Sequence, residues 1–184
     1  SSTLTLSGGS GGDGHDGDFS GAGTLSLAGT HTFNSTSDVA VSNVAVTSGT
    51  TTMNGTYNLA GSSTTLSGGN LTFNAAATLG NLGALSVSSG TLTLNSDEVV
   101  SAATLNLSGG TLTGSDVISA SGLLTWTGGT MSGSGTTQAN GGLTLSGGAL
   151  TLDGVRTLIN AGTGTWTSGS LNLLNSGAVF TNQS

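Results

Sequence analysis

The sequence predicts an all-β fold: a parallel β-solenoid of about nine coils of about 20 residues, with three short strands in each coil. Three observations carry that prediction. An apolar-x-apolar unit recurs along the whole chain, a glycine follows it at a nearly fixed distance, and apolar residues alternate with polar ones inside each unit. Taking the second apolar residue of each unit as an anchor gives Leu6, Leu27, Val46, Leu66, Val87, Leu107, Trp126, Leu145 and Trp166, spaced by 21, 19, 20, 21, 20, 19, 19 and 21 residues. Self-similarity at such a period marks stacked units, none of which can bury its apolar face alone.

The first strand of each coil ends at its anchor. Two residues before the anchor lies a second apolar row, Leu4, Leu25, Val44, Leu85, Leu105, Leu124 and Leu143, which Thr64 and Gly164 interrupt. Trp126 and Trp166 take anchor positions and are therefore expected to point inward. Three residues after the anchor comes Gly9, Gly49, Gly69, Gly90, Gly110, Gly129, Gly148 or Gly169, with Gly29 one residue early, as though that turn were shorter. A glycine in every copy predicts a corner held at positive φ, where other residues meet a steric cost.

The second strand centres five residues after the anchor, on Leu71, Leu92, Leu112, Met131, Leu150 and Leu171. A polar row follows at eight residues, Asn54, Asn74, Asn95, Ser115, Ser134 and Asp153, and predicts a second corner. The third strand falls on Val39 and Val41, Leu59, Leu79, Val99 and Val100, Val117 and Ile118, Leu158 and Ile159, then Val179 and Phe180. Period-two alternation makes these strands, not helices. Nine coils stacked at the inter-strand spacing would form a rod roughly 43 Å long. The composition also suits a disordered Gly/Ser tract, but disorder needs no residue-level register.

Charge narrows the function classes. Charged residues make up 5% of the chain, and one Arg stands against eight acids for a net charge of −7. That excludes nucleic-acid binding, which needs Lys and Arg to displace counterions, and a polybasic membrane-surface anchor. With no Cys, disulfides and thiolate metal sites are excluded too. No apolar run approaches the length of a membrane-spanning helix. The opening residues, Ser1-Ser2-Thr3-Leu4-Thr5-Leu6, lack an initiator Met and a signal-peptide pattern, so the chain is expected to be mature or cut from a longer one.

The motifs Leu-Ser-Gly-Gly-Thr-Leu-Thr at 107–113 and Leu-Ser-Gly-Gly-Ala-Leu-Thr-Leu at 145–152 resemble large secreted bacterial β-strand-repeat proteins. These include filamentous-haemagglutinin-like adhesins and autotransporter passenger domains. The resemblance spans nearly the whole chain, but its motif directs folding and brings no catalytic residues. It implies a right-handed β-helix, an extracellular or cell-surface location, and adhesive or scaffolding work.

Candidate chemistry is sparse. Residues 8–18 depart from the repeat, and a Gly/Asp-rich irregular loop is expected over 8–23, in a coil lacking its second strand. Residues 8–13 match the opening of a calcium-binding Gly-Gly-x-Gly-x-Asp repeat, with His15 where an aliphatic residue belongs. Asp13, Asp16 and Asp18 are the candidate calcium ligands, three hard oxygen donors within six residues. For a polysaccharide-degrading reading, the least favoured, Asp97 and Asp116 occupy near-equal offsets in adjacent coils and supply the carboxylate pair. Arg156 is the one basic group to steady developing charge. His15 and His31 suggest no Ser-His-acid arrangement.

Positions four and six after the anchor flank an inward residue and face outward. They read Thr50/Thr52, Asn70/Thr72, Thr91/Thr93, Thr111/Thr113, Thr130/Ser132, Ala149/Thr151 and Ser170/Asn172, with Thr30/Thr32 one residue early. This Thr-x-Thr ladder, densest at Thr91, Thr93, Thr111, Thr113 and Thr130, resembles the ice-binding face of solenoid antifreeze proteins and suits an ice- or carbohydrate-surface ligand. Thr is also a good strand former anywhere, and the row at Thr125, Thr127, Thr163, Thr165 and Thr167 is similarly rich. Both ends of the chain stop inside the repeat. The expected function is a structural, non-catalytic element, an adhesin stalk segment or fibre protomer. Its partners are other coils of a longer chain or its own copies stacked end to end.

Overall fold

The computed structural model describes the backbone of all residues except 1, 60, 176 and 184, and the side chains of residues 9–13 also lie outside the described set. Among the described residues there are strands and turns but no helix. The chain winds as a β-solenoid of about nine turns, and every strand pairs in parallel with its counterpart one coil away. We number the coils one to nine by their anchors. From the fourth coil on, each carries three short strands, such as Ala84–Val87, Thr91–Leu94 and Val99–Ala102. In the first three coils the first and second strands run through the corner between them without a break, within β1 (Thr3–His15), β2 (Asp18–Phe33) and β3 (Asp38–Met53).

Parallel stacking places like on like. The anchors pair without slip from Leu6↔Leu27 to Leu145↔Trp166, and the row two before them pairs from Leu4↔Leu25 to Leu143↔Gly164. Where the third strand offered two adjacent apolar residues, Val100, Ile118 and Leu158 turn inward and are fully buried, while Val99 faces solvent. The second strand departs from simple counting once. Met131 pairs with Leu152, and Leu150 pairs with Leu171, because the corner at 146–149 takes two extra residues. A two-residue slip keeps every side chain on its own face, so both Leu150 and Leu152 remain buried.

The first corner requires glycine for two reasons. Gly69, Gly90 and Gly110 have φ of 69°, 80° and 66°, and a Cβ at Gly90 would stand 1.9 Å from the Gly69 carbonyl oxygen. Gly29 keeps its place opposite Gly8 and Gly49, with the register shifting after Leu27, so the one-residue shortening is real. In coil one the column belongs to Gly8, not Gly9, and in coil eight the positive φ sits on Gly147, not Gly148.

Over the expected irregular loop, 8–23, the backbone is largely extended, half of its residues are paired with the next coil, and the register breaks twice. Gly8 faces Gly29 and Asp13 faces His31, so residues 9–12 cover what Thr30 alone covers in the next coil. The second strand of that coil survives as its last residues, Gly14↔Thr32 and His15↔Phe33. A smaller irregularity lies between Gly21 and Thr24.

Both interruptions of the inner row have local causes. Tyr57, fully buried against Phe73, bonds to Thr64 Oγ1 at 2.8 Å, and the Thr64 hydroxyl donates to the Leu82 carbonyl at 2.7 Å. The Thr64 proton is thus committed, and Tyr57 is the donor of their shared bond. Gly164 makes room for Asn160, whose Nδ2 would lie 2.9 Å from a Cβ there. Trp126 fills the interior as expected. Trp166 occupies the same inward column and makes the same bond from its indole N–H to the carbonyl two residues on, yet is 52% exposed. Coil nine carries no coil above it in this structure, so inward orientation does not bring burial.

Two predictions follow from the interior. Thr51 is fully buried and its hydroxyl has no hydrogen-bond partner. Replacing it by the near-isosteric valine (Thr51→Val) should raise stability by about 1 kcal/mol in chemical denaturation; a loss of stability would mean the hydroxyl is satisfied. Burial pushes the Tyr57 phenol well above its ordinary pKa, against the smaller opposing effect of its Thr64 bond. A raised pKa means stability present in full below the unfolded value and lost as pH climbs past it. The stability advantage of wild type over Tyr57→Phe should therefore shrink by about 1.4 kcal/mol per pH unit above about pH 10.

Candidate functional site

The second corner brings a set of carboxylates and amides together as a ladder along the rod. Asp16 Oδ1 accepts from Asn34 Nδ2 at 2.8 Å and from the Thr36 hydroxyl at 3.3 Å. Asn74 Nδ2 donates to Asn54 Oδ1 at 3.0 Å, Asn95 Oδ1 accepts from the Ser115 backbone N–H at 2.9 Å, and Asn175 donates to Asp153. The polar row read from the sequence is thus a structural seam whose amides satisfy one another and the turning backbone.

Of the three candidate calcium ligands, Asp16 and Asp18 lie at different places on the coil. The side chain of Asp13 lies outside the described residues. Asp16 is engaged in the corner seam, and Asp18 is exposed on the third face, where its strand neighbour is Asp38. Among the described residues, no group of three or more His, Asp or Glu side chains is placed to hold a metal ion. His15 and His31 join the first two coils. His31, 3% exposed, donates from Nε2 to the Ala28 carbonyl at 3.1 Å, so its Nδ1 accepts from His15 Nε2 at 3.3 Å. The His15 ring also packs on Phe33 at 4.8 Å and edge-on to Phe19 at 5.7 Å, which makes the pair part of the packing.

Asp97 and Asp116 do lie side by side, but not as two free carboxylates. Asp116 is buried, and its Oδ2 accepts from the Ser96 backbone N–H and hydroxyl, both at 2.7 Å. Its Oδ1 accepts from the Asp97 backbone N–H at 3.1 Å. Asp97 sits at φ 63° with its side chain exposed, and Asp116 is the group that holds that left-handed turn. The hollow beside them, of about 260 Å³, also touches Glu98, Val99, Ser115 and Val117.

Sequence reasoning missed the most unusual cluster. Arg156, the chain's one basic residue, is inside the solenoid and 0% exposed. Its Nε and Nη2 donate to Thr137 Oγ1 at 3.1 and 2.9 Å, and Nη1 donates to the Ser132 carbonyl at 2.9 Å. Burial pushes the guanidinium down to about 10, while the negative charge of Asp116 acts in the opposite direction. No basic side chain is therefore available at the Asp97–Asp116 surface. The only sequence signal was a polar Thr137 where its column otherwise holds Val100, Ile118 and Leu158.

The Thr ladder forms a regular surface on the second face. Register places Thr30, Thr50, Asn70, Thr91, Thr111, Thr130, Thr151 and Asn172 in one outward column. Thr32, Thr52, Thr72, Thr93 and Thr113 form its neighbour. The slip at 146–149 replaces the expected Ala149 by Thr151 in the first column. On the first face both outward columns are mixed: Thr3, Thr24, Asn43, Ser63, Ala84 and Thr104 in one, and Thr5, Ser26, Ala45, Thr65, Ser86, Asn106, Thr125, Thr144 and Thr165 in the other. Thr is denser on the second face, in the same residues the linear pattern lists, while Thr125, Thr144 and Thr165 stand in line on the first.

These features define a β-solenoid repeat protein with a polar corner seam, one buried charge cluster and one Thr-rich face. No family model matches the chain, and neither a curated protein nor a solved structure matches it.

The buried charges give a direct test. Asp116→Ala removes an acceptor of three hydrogen bonds and the charge opposing Arg156, so it should lower stability by about 3–5 kcal/mol in urea denaturation. Asp97→Ala, at an exposed side chain, should cost no more than about 1 kcal/mol, chiefly from its left-handed backbone. Equal losses from the two substitutions would contradict this assignment.

Proposed function

We propose that the chain is a structural, non-catalytic solenoid segment of an extracellular or cell-surface protein, an adhesin-type stalk or a fibre protomer, that continues by stacking. The observation that carries this reading is the uncovered inner row of coil nine. Trp166 is 52% exposed and Leu173 47%, and both extend inner columns of the rod, above Leu145 and Leu152. At the other end Leu4 is 54% exposed in the same column as Leu25. Each surface has the pattern its next coil would need, with unpaired backbone groups beside an apolar stripe. Further coils of a longer chain or a second copy of this one would satisfy it equally. The resemblance of the Leu-Ser-Gly-Gly-Thr-Leu-Thr motif to secreted β-strand-repeat proteins supports the surface location.

Electron microscopy of the purified chain over a range of concentrations, with and without calcium, tests self-stacking. The expected result is unbranched filaments with a repeat near the roughly 43 Å of a nine-coil rod. Single rods at every concentration would exclude stacking of copies.

A second reading rests on the two Thr columns, which support binding to ice. They repeat every 4.8 Å or so along the rod and stand roughly 6.6 Å apart across it. None of their residues is charged, and apart from the amides of Asn70 and Asn172 the array offers hydroxyls and methyls at a constant interval, suited to a neutral periodic lattice. Thermal hysteresis should be measurable for wild type, lost in Thr111→Tyr, and retained in Asn106→Tyr on the first face. Wild type without hysteresis or inhibition of ice recrystallisation would end this reading.

A further inference from the structure

The buried cluster around Arg156 also answers a question that the hydrophobic pattern leaves open, which is how coil eight chooses its register on coil seven. Two stackings keep every side chain on its proper face. In one, Met131 lies against Leu150; in the other, against Leu152. They differ by two residues, and a shift of two leaves the inward and outward sets unchanged. Apolar burial therefore discriminates poorly between them, yet the structure holds only the second.

Four departures from the repeat converge on the difference. Val117 pairs with Thr136 and Thr136 with Thr157, so Asp116, Gly135 and Arg156 follow one another in a single stack, one residue earlier. Gly135 separates the two charged residues. A Cβ there would stand 3.2 Å from Arg156 Nη1, so its absence gives the guanidinium its space. Thr137 replaces an aliphatic residue and supplies the hydroxyl that receives two of the guanidinium's bonds. In the alternative stacking Arg156 would sit over Thr137, whose side chain fills that column, and would move by roughly 6.6 Å along the strand. It would lose the gap over Gly135, the Ser132 carbonyl and its alignment with Asp116. A buried cation without partners is strongly disfavoured.

We propose that Arg156 is a register key: with Asp116, Gly135 and Thr137 it admits one stacking of coil eight on coil seven and excludes the two-residue alternative. Single buried polar groups fix register in coiled coils by the same logic. The position suits the task, because the surplus residues at 146–149 lie immediately before it and leave the second and third strands of coil eight free to slide.

Because the chain has no Cys, paired cysteines read the register directly. Thr130 and Thr151 are lateral neighbours in the observed stacking, whereas Thr130 would face Ala149 in the alternative. Neighbouring parallel strands lie about 4.8 Å apart, within the Cα range a disulfide accepts. In the wild-type background T130C/T151C should oxidise to a disulfide and T130C/A149C should not. With Arg156→Met added, T130C/A149C should begin to cross-link. Exclusive T130C/T151C cross-linking despite Arg156→Met would overturn the proposal. Thr137→Val gives a second measurement that keeps the charge and removes its acceptor. Amides of 136–139 and 157–160 should exchange at least about tenfold faster, while those of 70–73 remain unchanged. Unchanged exchange at 136–139 and 157–160 would equally overturn it.

Discussion

The backbone of each coil pairs with the coils on either side at one fixed distance, and the rest of the molecule follows from that constraint. Parallel pairing at about 4.8 Å leaves no freedom to offset bulky groups between coils, so every position along the turn becomes a column of like residues. Leucine must lie on leucine, as at Leu71, Leu92 and Leu112, and glycine on glycine, as at Gly69, Gly90 and Gly110. The same constraint lets a chain with 5% charged residues fold, because inter-coil backbone bonds are made whatever the outward side chain is. Ser, Thr and Asn on the surface need only tolerate an extended backbone.

Polar residues enter the interior where that columnar order fails. Each such place is a small, complete network: Tyr57 with Thr64, His31 with His15, and Arg156 with Thr137 and Asp116. Thr51 is the exception, with a buried hydroxyl that nothing receives. Interior polarity of this kind distinguishes coils that apolar burial alone treats as interchangeable. In a repeat with so little variation, departures from the consensus are what give each coil an address.

The legible part of the sequence was the part where columns are uniform. The first strand's two inner rows were readable except where Thr64 and Gly164 interrupt the second, because Leu25, Leu85 and Leu105 differ little from one another and the spacing carries the register. The second strand of coil eight was not readable, since Leu150 and Leu152 are both leucines on the same face and counting from the anchor selects the wrong one. Glycine pairs hid the corners in the same way: Gly8 and Gly9, or Gly147 and Gly148, cannot be told apart by residue type. Arg156 was hidden for the opposite reason. A lone arginine is ordinarily a surface residue, and only the stack of Asp116 and Gly135 beneath it shows otherwise. The outward Thr row could be listed from the sequence, and the two-residue slip that the sequence does not mark only moves Thr151 from one of its columns to the other.

The two tryptophans have a consequence of their own. Trp126 and Trp166 share a column, an orientation and a local hydrogen bond, and differ only in what lies above them. One indole sits in a dry, densely packed interior and the other meets water, so their emission should differ in colour and in access to soluble quenchers. The molecule thus carries an internal reference beside an optical gauge at its last coil. When any surface closes over the last coil, the red component of the fluorescence disappears while the blue one stays, and coverage can be followed in solution without a label.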